Sequence, residues 1–119
     1  MIAPKMEEHW EVIVHDDFLS EYSGLALPVQ NELVALAVVL REKGPILGRP
    51  QVDTLKGSRH ANMKELRFEA DGGVWRVAFA FDPERRAILL IAGNKGGVPQ
   101  RAFYRDLIRV CRCKVRSAS

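Results

Sequence analysis

Lys64-Glu65-Leu66-Arg67-Phe68-Glu69-Ala70-Asp71-Gly72-Gly73-Val74-Trp75-Arg76-Val77-Ala78-Phe79-Ala80-Phe81-Asp82 is the stretch on which the fold turns. Two runs that alternate with a period of two flank a turn signal, and that pattern predicts an antiparallel β-hairpin. In the first run Leu66, Phe68 and Ala70 share one face, with Glu65, Arg67 and Glu69 on the other. In the second, Trp75, Val77, Phe79 and Phe81 form a bulky core face, while Val74, Arg76, Ala78, Ala80 and Asp82 form a face of small residues around one arginine. Asp71-Gly72-Gly73 supplies the turn.

Downstream, Asp82-Pro83-Glu84-Arg85 makes the next turn. Ala87-Ile88-Leu89-Leu90-Ile91-Ala92 is then a nearly unbroken apolar run, which suits a central strand covered on both faces. Gly93-Asn94-Lys95-Gly96-Gly97 closes it, and Pro99 opens a last helix through Phe103, Leu107, Ile108 and Cys111. Upstream, Trp10 to His15 is a short β-prone run, and Asp16-Asp17 supplies N-cap chemistry for a helix carrying Phe18, Leu19 and Tyr22. After Pro28, the residues Val29, Leu33, Leu36, Ala37 and Leu40 recur on one helical face until Gly44-Pro45. Gly48, Pro50, Gly57 and Ser58 mark the next stretch as loop. The expected order is β-α-α-β-β-β-α: an α+β fold, with a small twisted antiparallel sheet and helices packed on one face.

The 119 residues suit one domain, 1–119, with flexible termini at about 1–8 and 112–119. The net charge of +3 conceals a division along the chain. Met1 to Leu55 holds four Lys and Arg against nine Asp and Glu, whereas Lys56 to Arg105 holds ten against five. The basic half suits a phosphate-bearing or acidic partner. No run approaches the roughly 18 apolar residues of a membrane span, and the acidic N-terminus does not resemble a signal peptide. Cys111 and Cys113 lie too close together to staple a domain, so a reduced, cytoplasmic setting is expected.

This outline resembles the RelE/ParE superfamily of type II toxin–antitoxin toxins, in its HigB-like, phage-derived branch. The resemblance runs from Trp10 to about Ile108. It is carried by Leu55-Lys56-Gly57, by Lys64-Glu65-Leu66-Arg67, by Trp75 to Asp82, and by Leu89 to Lys95 followed by Phe103-Tyr104. Many HigB-like proteins carry two lysines after the last strand; here Lys95 is followed by Gly96-Gly97. The resemblance implies a toxin that cleaves mRNA on the ribosome and is neutralised by an antitoxin, often a helix-turn-helix protein. ParE-like relatives share the fold and act on DNA gyrase instead, and a degenerate member would only bind its antitoxin.

RNA cleavage by 2′-OH attack needs a base, cations to stabilise charge on the phosphorus, and an acid for the leaving oxygen. Lys, Arg, His and Tyr supply all three, and no Asp, Glu or His cluster has metal-ligand spacing, so a metal-independent endoribonuclease with no cofactor is expected. Arg67 and Arg76 fall on the polar faces of the two hairpin strands, where they would converge on a phosphate, with Ala78 and Ala80 leaving room for the substrate backbone. Alternatively they pair across the strands with Glu65 or Glu69. Lys95, in a glycine-rich loop, reads either as a cation or general base or as a solvated loop residue. Tyr104 reads as a stacking or proton-donating group, or as a helix residue half-buried beside Phe103. His60 is the histidine of the basic segment and the cheapest acid or base at neutral pH. Lys56, Arg59 and Lys64 read as RNA-binding charge, or as a solubilising run. His9 and His15 are assigned structural roles, and Trp10 and Trp75 packing roles.

Overall fold

The computed structural model describes residues 9–55, 63–96, 99 and 101–109. The expected flexible termini, 1–8 and 112–119, and the cysteine pair lie outside the described residues. The elements are β1 (Glu11–Val14), α1 (Asp16–Ser23), α2 (Leu27–Lys43) with a 3-10 turn (Gly44–Ile46), β2 (Val52–Thr54), β3 (Met63–Ala70), β4 (Gly73–Phe81) and β5 (Arg86–Asn94). A final helix, α3, covers residues 101–109. The α+β class holds, and the expected element order holds with one strand, β2, added.

The hairpin forms as its sequence dictates. Asp71 and Gly72 both take positive φ, 53° and 74°, the conformation of a two-residue turn whose twist matches its strands. Ala70 then faces Gly73, and the register runs through Phe68 opposite Trp75 and Arg67 opposite Arg76 to Met63 opposite Ala80. In the turn between β4 and β5, Asp82 Oδ1 accepts the backbone N–H groups of Glu84 and Arg86, each at 2.9 Å.

The sheet has the order β1-β5-β4-β3-β2, so β5 is interior, as its apolar run requires. Three features differ from the sequence expectation. First, the sheet is not wholly antiparallel, because β1 pairs parallel with β5 from Glu11 opposite Arg86 to Val14 opposite Leu89. Everything from α1 to β4 lies between these two strands and supplies the long connection that parallel strands need. Second, Val52–Thr54 is a strand within the expected loop. It pairs with Lys64 to Leu66, so it covers the edge of β3, and it buries Val52 in the core. Third, the helices do not share one face. Phe18 of α1 and Val29, Leu33, Leu36 and Leu40 of α2 pack against Leu66, Phe68, Val77, Phe79, Phe81 and Leu89. Phe103, Tyr104 and Leu107 of α3 pack on the opposite face, against Leu55, Met63, Ala78, Ala80 and Leu90.

A one-residue irregularity fits β5 to both layers. Ala78 faces Ile91 while Phe79 faces Leu89, leaving Leu90 as an extra residue, so that Leu90 and Ile91 both serve the α3 cluster. At α1 the cap is not an aspartate. His15 Nδ1 accepts the Asp17 N–H at 3.2 Å, while Asp16 and Asp17 occupy the first turn, where negative charge suits the helix N-terminus. Helix α2 ends at Gly44, whose φ of 59° and contact with the Trp10 indole leave no place for a side chain.

Candidate functional site

Strand alternation places Glu65, Arg67, Arg76 and Ala78 on the α3 side of the sheet. There Arg67 and Arg76 are direct register partners, the position at which opposed side chains approach most closely. Two like charges in such a pair repel, and a carboxylate resolves the conflict. Glu65 Oε2 accepts from Arg67 Nη1 at 2.9 Å, and Glu65 Oε1 lies 3.9 Å from Arg76 Nε. The Glu65 side chain is fully buried and Arg76 is 7% exposed, whereas Arg67 keeps 24% of its surface open. Arg67 also lies 3.7 Å from Asp53, which is itself held by Arg49 at 2.6 Å.

Helix α3 closes the site from above. Arg76 Nε donates to the Tyr104 hydroxyl at 3.4 Å, and Arg76 Nη1 donates to the Trp75 carbonyl at 2.9 Å. Burial, and then the Glu65 carboxylate, push the Tyr104 phenol above its ordinary value, with Arg76 acting in the opposite direction. The phenol therefore keeps its proton at neutral pH. Its ring packs edge-on against Phe103, at 5.2 Å between centroids. Lys95 reaches the same group from the end of β5, its Nζ 6.0 Å from the Tyr104 ring centroid, while its backbone N–H bonds to the Val74 carbonyl.

The close seating of α3 depends on Gly93. That residue stands opposite Arg76 in the register, and a Cβ there would come within 2.8 Å of the Phe103 ring. Along this line of the sheet, two long cationic side chains are followed by a position with none, and the phenylalanine ring occupies the gap.

The structure thus brings together Arg67, Arg76, Tyr104 and Lys95. It does not bring Lys64 with them. Lys64 alternates to the other face, where its Nζ meets Thr54 Oγ1 at 3.4 Å. Lys56, Arg59 and His60 lie outside the described residues. The expected room above Ala78 and Ala80 is filled, because both are buried under Phe103 and Leu107. Pairing with Glu65, the alternative to a phosphate role for the arginines, is present: along β3 for Arg67 and across the strands for Arg76. Glu65 is not among the site residues that the sequence singles out, although its alternation with Arg67 places it on the arginine face.

A buried arginine–glutamate–arginine set with a protonated phenol can hold an anion against Arg67 and donate a proton beside it. Comparison with known families gives this arrangement its context. The model of the phage-derived Gp49-like protein family matches residues 20–113, which is most of the chain.

The chain belongs to the Gp49-like family.

Its relatives in Mycobacterium tuberculosis agree. The protein named "Putative toxin HigB2" is 60% identical over 68 residues, covering 56% of this chain and 34% of that protein. "Putative toxin HigB3" is 52% identical over 69 residues, covering 58% of this chain and 59% of that protein. The matched stretches therefore span about a third and three fifths of those relatives' lengths. In fold, this Gp49-like chain is similar to RelE in the archaeal RelE–RelB complex from Pyrococcus horikoshii. The TM-score is 0.55 at 17% identity, covering 76% of this chain and 99% of that one. A free double-arginine mutant of the Escherichia coli toxin RelE gives the same TM-score of 0.55 at 13% identity, over 92% of this chain and 97% of that one. The chain is thus a Gp49-like protein, similar in sequence to two HigB-named proteins and in fold to RelE. Among the described residues no helix is long and apolar enough to cross a membrane.

Proposed function

We propose that this chain is the toxin of a type II toxin–antitoxin pair, and that it arrests translation as a metal-independent endoribonuclease cutting mRNA on the ribosome. The observation that carries the reading is the pairing of Arg67 with Arg76 in the register and the contact of Arg76 with Tyr104, in a chain of the Gp49-like family with toxin-named relatives. In this reading Arg67, the more open guanidinium, engages the scissile phosphate first. Arg76 backs it with a second positive charge, and the protonated Tyr104 phenol donates to the leaving 5′-oxygen. Lys95, at the mouth of the site, takes up the proton of the attacking 2′-hydroxyl as general base, and the Lys56 to His60 segment, with Lys64, grips the RNA backbone or ribosome through salt-dependent contacts.

The partner proposed for this toxin is a cognate antitoxin, of helix-turn-helix type, with an acidic segment that covers the arginine face. Association should weaken steeply with added salt; affinity unchanged between low and high salt would place the interface on apolar surface instead. The proposed setting is the cytoplasm, where ribosomes and mRNA are met.

The test is induction of the chain without antitoxin, followed by mapping of mRNA 5′ ends on arrested ribosomes and by a gyrase supercoiling assay. Cuts within the ribosomal A site, reduced by Arg67→Ala and Arg76→Ala, are expected. Growth arrest with intact mRNA and inhibited supercoiling would replace the nuclease with a gyrase-binding toxin. Harmless expression of folded protein would leave an antitoxin-binding member without catalysis.

A further inference from the structure

A carboxylate with no exposed surface is costly to bury unless both its oxygens find donors. Glu65 meets half of that condition. Oε2 is held by Arg67, while Oε1 has no hydrogen-bond partner although Arg76 Nε, which donates to the Tyr104 hydroxyl, stands 3.9 Å away. An apolar residue at this position would pack under α3 as Met63 and Ala78 do, yet it would leave Arg67 and Arg76 opposed with nothing between them. Buried groups of this kind hold neighbours in place at the expense of stability.

Resting on the nuclease reading above, we propose that Glu65 is the positioning residue of the arginine pair. In the free protein it serves as an internal counter-ion between Arg67 and Arg76, and the substrate phosphodiester takes over Arg67 when it binds. The carboxylate released from Arg67 then turns to its unfilled side, where Oε1 meets Arg76 Nε, and the Tyr104 proton stays free for the leaving oxygen. No bond is made or broken by Glu65 itself. It fixes which way the two guanidinium forks and the phenol point, while opposing the phosphate for the same cations.

Such a residue has a signature that a merely structural one lacks: its neutralisation should strengthen binding and weaken turnover together. A buried residue that only supports the fold would lose both in step with the folded fraction. The probe is a single-stranded RNA whose riboses are all 2′-O-methylated, which binds but lacks the attacking hydroxyl. Glu65→Gln should bind it several-fold more tightly than the unaltered protein, as one opposing charge is removed. On ribosomes programmed with unmodified mRNA, kcat should fall about tenfold or more, the scale of one lost hydrogen bond to a charged group. Glu65→Asp keeps the charge and shortens the reach, so binding should stay near its original value while kcat falls.

A second readout needs no catalysis. In a Tyr22→Phe background, the phenolate absorbance of Tyr104 reports its neighbours: Glu65 from β3, Arg76 from β4 and Lys95 beyond β5. Glu65→Gln should move that titration downward. RNA affinity that is unchanged or weaker in Glu65→Gln, with kcat unchanged or reduced only as far as the folded fraction, overturns the proposal. If Glu65→Gln does not fold, Glu65→Asp with undiminished kcat overturns it equally. Should the unaltered protein bind RNA but cut none, the nuclease reading fails alone, and the binding difference still judges Glu65. Should it bind no RNA, a Tyr104 titration unmoved by Glu65→Gln removes the proposal as well.

Discussion

The two faces of the sheet are built on opposite principles. On the α1/α2 face, β3 and β4 present Leu66, Phe68, Val77, Phe79 and Phe81, large apolar side chains that fill the space between layers. On the α3 face the same strands present Glu65, Arg67, Arg76, Ala78 and Ala80, charges and small residues under a helix described over residues 101–109. The first face gains its stability from area removed from water, about 1.5–3 kcal/mol for each large side chain fully buried. The second buries a carboxylate and an arginine, which contributes little net stability but fixes direction. The molecule thus separates holding together from holding in place, and one β-strand serves both through alternate residues.

That comparison can be tested from each side. The largest effect expected is from Phe79→Ala, a fully buried ring in the apolar layer. Its loss should cost about 3–5 kcal/mol in urea unfolding while leaving the specific activity of the folded fraction unchanged. Arg76→Ala should do the reverse. Ribosome-programmed mRNA cleavage should fall by about 10²–10³-fold, as on removal of a transition-state donor, with a smaller change in unfolding midpoint than Phe79→Ala gives. Comparable losses of stability from both would erase the division between the faces. Ala78→Leu sharpens it. Adding bulk under Phe103 and Leu107 should cost about 1–3 kcal/mol and lower cleavage further than stability alone explains, because α3 carries Tyr104.

The smallest effect belongs to the surface. Burial raises the Asp82 carboxyl, but the Arg86 side chain and the backbone N–H groups of Arg86 and Glu84 outweigh it, and its value falls below the ordinary 3.8. A depressed carboxyl contributes stability above its unfolded value and loses it as pH drops through the folded one. Asp82→Asn retains the turn's oxygen acceptor and should lose about 0.2–1 kcal/mol at neutral pH. That difference should shrink below about pH 4, where the unfolded carboxylate takes up its proton. Unfolding curves across that range, with equal slopes for both proteins, would remove the Asp82–Arg86 contribution.

The hairpin was fully legible because two local signals agreed, the period-two alternation and an Asp-Gly pair able to take positive φ. Pairing of Arg67 with Arg76 followed from it by counting outward from the turn. The strand Val52–Thr54 was not legible, since three residues cannot display alternation and their neighbours Gly48 and Pro50 signal loop. Nor was the position of α3. Alanines at 78 and 80 are equally consistent with an open floor for substrate and with a floor closely covered by a helix, and only the second is found. The same ambiguity hid Glu65. A glutamate alternating with an arginine reads as a solvated pair until something is known to lie above it. Lys64 shows the limit of reading charge by proximity in sequence: one residue from Glu65, it faces the other way.

Gly93 carries a consequence for how such a site can drift. The residue is a shim of zero thickness between β5 and the Phe103 ring, and the next side chain along α3 is the one that meets Arg76. A single methyl at position 93 would lift the helix before it disturbed any charge, parting the phenol from the guanidinium while every cation of the site stayed in place. Inactivation by this route would leave the electrostatic face unaltered, so a chain that had lost the proposed chemistry would still present the surface proposed for its antitoxin.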